Sequence, residues 1–160
     1  MSEPADDPRA PAWAVSLLLL SLSLWVGAVA FFSGGVLPAL FLNLEPHEAG
    51  RIAALVFPIY FRAGLALGLV ASGACVVLAR RRGRRWKLTA GLLVVMTACH
   101  AWSALVVHPE MARIRGVDGE AARLQQLHRL SVRLNSVVLG GGLLVLVAGG
   151  ALFTVRRDEA

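Results

Sequence analysis

At 160 residues the chain has room for one domain, and 57% of it is hydrophobic while only 16% is charged. An ordinary soluble domain carries about 45–50% apolar and about 25% charged residues, so this composition excludes one. The formal charge of +6 sits in patches between uncharged runs. It does not form an open nucleic-acid surface, and anionic lipid headgroups are its natural counter-charge.

Residues 1–11 carry Pro, Asp and Glu and read as a disordered tail. The first span, about 13–37, lies within a run (10–44) that has no charged side chain. Trp13 opens it as an interfacial aromatic, and Pro38 is expected to end its regular helix. The "AVA" at 28–30 resembles a signal-peptidase site. The segment before it is acidic, however, and the apolar run continues past it, so the span is read as retained.

After the first span, "NLEPHEAGRIAALVFPIYF" reads as an amphipathic helix opened by Pro46, with Glu48 and Arg51 spaced to pair. It runs into a second span at 57–79, near whose start Arg62 is the only charge. Pro58 is expected to kink or restart this helix. The connection "ARRRGRRWK" follows, then a third span at 88–107, interrupted only by His100 and closed by His108 and Pro109. Residues 109–120 form the third loop, containing the turn "GVDG". Asp118 is a candidate cap for a helix that continues into the fourth span at 134–155, ahead of a cytoplasmic tail at 156–160. Each apolar run is about the 20 helical residues that a hydrocarbon core of about 30 Å requires.

The fold read from this is all-α, a four-helix transmembrane bundle of up-down topology over 12–155. Arg80, Arg81, Arg82, Arg84, Arg85 and Lys87 place the second connection in the cytoplasm, and an even number of spans then puts both termini there, with Arg156 and Arg157 in agreement. Arg113, Arg115, Arg123, Arg129 and Arg133 oppose that bias, but they are spread along a longer segment that also holds Glu110, Asp118 and Glu120. Lys87 is the one lysine among sixteen basic residues. With abundant Ala, Leu and Val, this is the composition of a GC-rich bacterial genome, so the inner membrane is the expected location. Cys75 and Cys99 differ in depth by about 10 Å, beyond disulfide reach, and read as packing residues. Gly64-x-x-x-Gly68 in span two and Gly140, Gly141, Gly142, Gly149 and Gly150 in span four mark close helix contacts.

The sequence lacks a P-loop, an H-E-x-x-H, a C-x-x-C and a dinucleotide fingerprint. Its membrane-embedded polar groups instead gather at one depth. Tyr60 and Arg62 open span two, His100 and Ser103 share a face of span three, and His128, Ser131 and Asn135 enter span four. On a helix that last trio lies within about 60°, away from Arg129 and Arg133. Ser131 and Asn135 most simply bridge helices, Arg62 snorkels, and His47 lies in an exposed loop. His100 is deeper, and an intramembrane ionisable group is a functional candidate by default.

Several motifs together carry a family likeness: "LWVGAVAFFSGGVLPALF" with Trp25 and Gly27; "VFPIYF" with Phe57, Pro58, Tyr60 and Phe61; Pro109; and "LHRLSVRLN" with His128, Ser131 and Asn135. In these the chain resembles the transmembrane protein 205-like family, small membrane proteins with a domain of unknown function, over most of residues 13–155. The resemblance implies a four-helix membrane bundle and no defined activity. The first span more faintly resembles copper-resistance and haem-binding four-helix membrane proteins, in which a histidine about two turns before the tryptophan serves a cofactor. Leu18 stands at that place here. A haem or transition metal would therefore fall to His100 with His128.

The functional expectation is a membrane protein handling a small solute, cation or toxic compound at the outer-leaflet cluster, permease-like or a tolerance factor. Its partners are the lipid bilayer and further copies of itself, with no nucleic acid, no assigned cofactor and no assigned enzymatic activity. The alternatives are a non-catalytic membrane subunit or lipid-organising protein, and a haem- or metal-binding redox protein.

Overall fold

The structure, a computed structural model, describes residues 11–81 and 83–154. The expected tail at 1–10, Arg82, and the C-terminal tail with Arg156 and Arg157 lie outside them. Among the described residues all regular structure is helical. The elements are α1 (Ala12–Phe31), a π-helical turn (Phe32–Val36), α2 (Leu37–Asn43), α3 (Pro46–Arg81), α4 (Arg84–Trp102), a second π-helical turn (Ser103–Val107), α5 (His108–Ile114) and α6 (Ala121–Thr154).

These make four helical rods long and apolar enough to cross a membrane: Ala12–Asn43, Pro46–Arg80, Arg84–Ile114 and Ala121–Gly149. Short connections make chain neighbours antiparallel. The third connection, Arg115 to Glu120, turns at Gly116 (φ 77°) and Gly119 (φ 84°), left-handed conformations that glycine adopts without strain. In cross-section the rods form a ring: α1 packs on α3 and α6, and α4 packs on the same two. Fully buried Trp25, Leu22, Leu78, Leu93, Met96 and Val138 fill the centre, while α6 buries the least of the four.

Small residues decide how closely the rods approach. A Cβ added to Gly64 would run into the His100 ring and come 3.2 Å from Trp25 Nε1, and one at Gly68 would lie 2.9 Å from the Trp25 ring. The Gly64–Gly68 face thus seats α1 and α4 on α3. Gly141 and Gly142 do the same for α6 against Met96 and Val26, whereas Gly140 and Gly149 face open space. Ser72 and Thr97 share a 3.0 Å hydrogen bond between α3 and α4.

The prolines behave differently from the sequence expectation. The regular helix α1 stops at Phe31, but the chain stays helical through Pro38 to Asn43. Pro109 likewise lies inside a helical segment that extends to Ile114, which shortens the third loop. The physical reason is shared. Leu37 N–H donates to Phe32 O and His108 N–H to Ser103 O, so the ladder has widened to i→i−5 just before each proline. The proline, which lacks an N–H, arrives where the turn is already open. Pro58 sits inside α3, which continues without restarting. Asp118 is not the cap of α6. Leu124 N–H donates to the Glu120 carbonyl at 2.9 Å, which puts the helix start two residues later. Glu48 and Arg51 form no ion pair among the described contacts; Glu110 instead pairs with Arg113 (2.8 Å) and Arg123 (2.6 Å).

Candidate functional site

Both π turns and the start of α6 meet at the end of the bundle opposite the arginine-rich connection. Between them lies a cavity of about 630 Å³. Its walls include Ser33 of the first π turn, Pro38 and Phe41 of α2, Phe57, Tyr60 and Phe61 of α3, Ser103 of the second π turn, His108 of α5, and His128, Ser131 and Asn135 of α6. Widened turns turn serines inward, and π turns recur at functional sites for this kind of reason.

The polar groups are tied across helices. Tyr60 O–H donates to Asn135 Oδ1 at 2.9 Å, and Asn135 Nδ2 donates to Ser33 Oγ at 2.7 Å. One asparagine on α6 therefore joins α3 to the end of span one. Ser131 Oγ and His108 Nε2 share a 3.3 Å hydrogen bond. Aromatic rings line the remainder: Phe32 stacks on Tyr60 at 4.5 Å, and Phe57 and Phe61 hold the His108 ring at 4.4 and 4.3 Å. At the mouth, Arg115 donates to the Gly50 carbonyl at 3.1 Å. The lining contains no Asp or Glu. The site is an aromatic pocket with hydroxyl, amide and imidazole groups and one permanent positive charge.

Of the residues singled out from sequence, Tyr60, Ser103, His128, Ser131 and Asn135 line this cavity, with Phe57, Phe61 and Pro38. Arg62 points outward and is exposed. Trp25, Pro58 and Pro109 are not in the wall. His100 is buried beside the cavity rather than lining it. Its Nε2 lies 3.3 Å from the Phe61 carbonyl. A carbonyl only accepts, so Nε2 carries the proton. The ring is boxed by Trp25 (5.6 Å), Tyr60 (5.7 Å) and Phe61 (5.2 Å). His100 and His128 thus do not share a cavity wall, and no three His, Cys, Asp or Glu gather for a metal among the described residues. His100 is enclosed, whereas His128 is exposed on the cavity wall.

Ser33 and Arg115 are site residues that the sequence reading did not place there; His108, which it placed at the outer end of span three, is one as well. Ser33 sits in an uncharged run among other serines, and Arg115 among arginines, so neither carries a local signal. His108 carried one: a histidine next to a proline inside an apolar run.

Residues 20–118 match the family described as Domain of unknown function (DUF4149). A relative described as an uncharacterized protein of Aquifex aeolicus (strain VF5) is 30% identical over 123 residues, covering 77% of this chain and 86% of the relative. No solved structure matches the chain. A family match over more than half the chain, on four apolar rods, makes it an integral membrane protein that belongs to the family of the domain of unknown function DUF4149.

Proposed function

We propose that the protein binds a small solute with an apolar body and a neutral or anionic head in the cavity between α2, α3, α5 and α6. It would act as a permease-like or tolerance protein of the transmembrane protein 205-like kind. The observation that carries this reading is the convergence of Tyr60, Asn135, Ser131 and His108 on an aromatic-walled space of about 630 Å³. Small-ligand sites have this make-up, mostly apolar with a few oriented polar groups. The lining favours some charges over others. With Arg115 at the mouth and no carboxylate in the wall, a cation would meet repulsion and an anion attraction. This narrows the solute–cation–toxicant expectation toward neutral and anionic amphiphiles.

The arginine-rich connection supports a cytoplasmic location for that end and for both termini, so the cavity opens toward the outer leaflet. The Aquifex relative supports a bacterial source, for which the inner membrane is the expected location. Transport by four spans calls for a homo-oligomer, and the weakly packed α6, with Leu143 and Val147 exposed, offers the surface. The Tyr60–Asn135–Ser33 bonds also support a second reading, a non-catalytic membrane subunit whose polar face only docks helices.

Titrating the protein in nanodiscs with 2-naphthoate and with 2-naphthylmethylamine separates the two. Saturable binding of the carboxylate, weakened by about tenfold in Arg115→Gln, an effect of about 1.4 kcal/mol, supports the solute reading. Binding of neither probe, or of both equally, favours the docking role.

A further inference from the structure

We propose that a second concavity, at the arginine-rich end of the bundle, binds one acyl chain of an anionic phospholipid whose phosphate is held by Arg85. This site is separate from the outer cavity and does not depend on it. The groove runs between α1, α4 and α6 and encloses about 320 Å³. Leu18 and Leu22 of α1, Leu92 of α4, and Leu144 and Ala148 of α6 form its walls. From Arg85 to Leu92 it follows two turns of α4, about 10 Å, a length suited to extended hydrocarbon rather than to a compact solute. The weak packing of α6 leaves it open toward lipid.

The charge at one end selects the headgroup. Arg85, Trp86 and Thr89 form that end, and Arg85 is exposed. Arg80, Arg84 and Lys87 flank it in sequence, and the chain has no Asp or Glu between Glu48 and Glu110. The first turn of α4 has no side-chain cap, so its amide groups add to the same positive end. Trp86 supplies an aromatic ring at headgroup depth, where tryptophan is favoured. Basic pockets between membrane helices hold anionic headgroups on this principle.

The test is native mass spectrometry of the full chain released from mixed vesicles of phosphatidylglycerol and phosphatidylcholine. One phosphatidylglycerol per chain should be retained in preference to phosphatidylcholine. Arg85→Gln should lower that retention by about fivefold, the factor set by about 1 kcal/mol per basic residue. Ala148→Trp, at an exposed position in the groove wall, should abolish it, and Arg123→Gln at the opposite end should leave it unchanged. Equal retention of the two lipids by the unaltered chain overturns the proposal. So does loss in Arg85→Gln with Ala148→Trp unaffected, which would mean headgroup binding with no chain in the groove. Loss in Ala148→Trp with Arg85→Gln unaffected removes the charge selection and overturns it as well. If the tryptophan variant does not fold, Leu144→Phe, at another exposed position in the groove wall, takes its place under the same criteria.

Discussion

Gly64 and Asn135 show how much single residues carry in a bundle where lipid removes any hydrophobic drive between helices. At Gly64 a methyl group has nowhere to go: the His100 ring occupies its place, with Trp25 behind it. Both rings belong to the core, and neither is the free end of a flexible chain. Gly64→Ala should therefore lower stability by about 1–3 kcal/mol through overpacking. Gly140→Ala, with open space around it, should be neutral or stabilising by up to about 1 kcal/mol from helix propensity. Thermal unfolding of the two variants in the same detergent checks this, and equal losses would refute the packing assignment. Asn135 differs, because its contribution is a pair of hydrogen bonds. A double-mutant cycle of Tyr60→Phe with Asn135→Ala should give a coupling of about 0.5–1.7 kcal/mol. A coupling of zero would mean that the bond does not persist in the membrane.

At the scale of elements, the two π turns are the unusual feature. Each is five residues long, each is followed at the second position by proline, and each delivers a serine to the cavity. A proline in a regular helix interior costs about 3 kcal/mol, and the widened turn before it relieves the clash. Replacing Pro38 or Pro109 by alanine removes the reason for the wide turn. The expected result is a gain in stability together with weaker binding of 2-naphthoate, as Ser33 or Ser103 rotates out of the wall. Stability and probe affinity measured on the same preparation would show it, and unchanged affinity would separate the π turns from the site.

For the whole molecule, the orientation proposed from charge is open to direct measurement. Each rod is about 30 residues long, or about 45 Å. That exceeds the hydrocarbon core of about 30 Å, so the ends project or the rods tilt. The connections are therefore accessible from water. In a background with Cys75 and Cys99 replaced by alanine, Gly83→Cys should react with a membrane-impermeant maleimide only in inverted vesicles. Asp118→Cys should react only in intact cells. The reverse pattern would place the cavity on the cytoplasmic side.

Much of this architecture was readable from the chain alone. Four apolar runs of about 20 residues read as helices, because hydrocarbon leaves only helices and closed barrels to satisfy the backbone and a barrel strand is about half that length. The polar faces of spans two, three and four could be seen at a common depth, since depth follows residue count at 1.5 Å per residue. Tyr60, Ser131 and Asn135 were identified that way. Which groups touch was not readable, since contact depends on how the rods rotate about their axes. Small residues facing bulky side chains set that rotation, and nothing local in sequence shows which glycines face inward. Gly64, Gly68, Gly141 and Gly142 do, while Gly140 and Gly149 do not. That rotation set His100 behind the cavity wall, kept His108 and His128 in it, and turned Arg62 outward. The π turns were hidden for a related reason: proline announces a break in the hydrogen-bond ladder, but whether the chain ends or widens there depends on the helices packed against it.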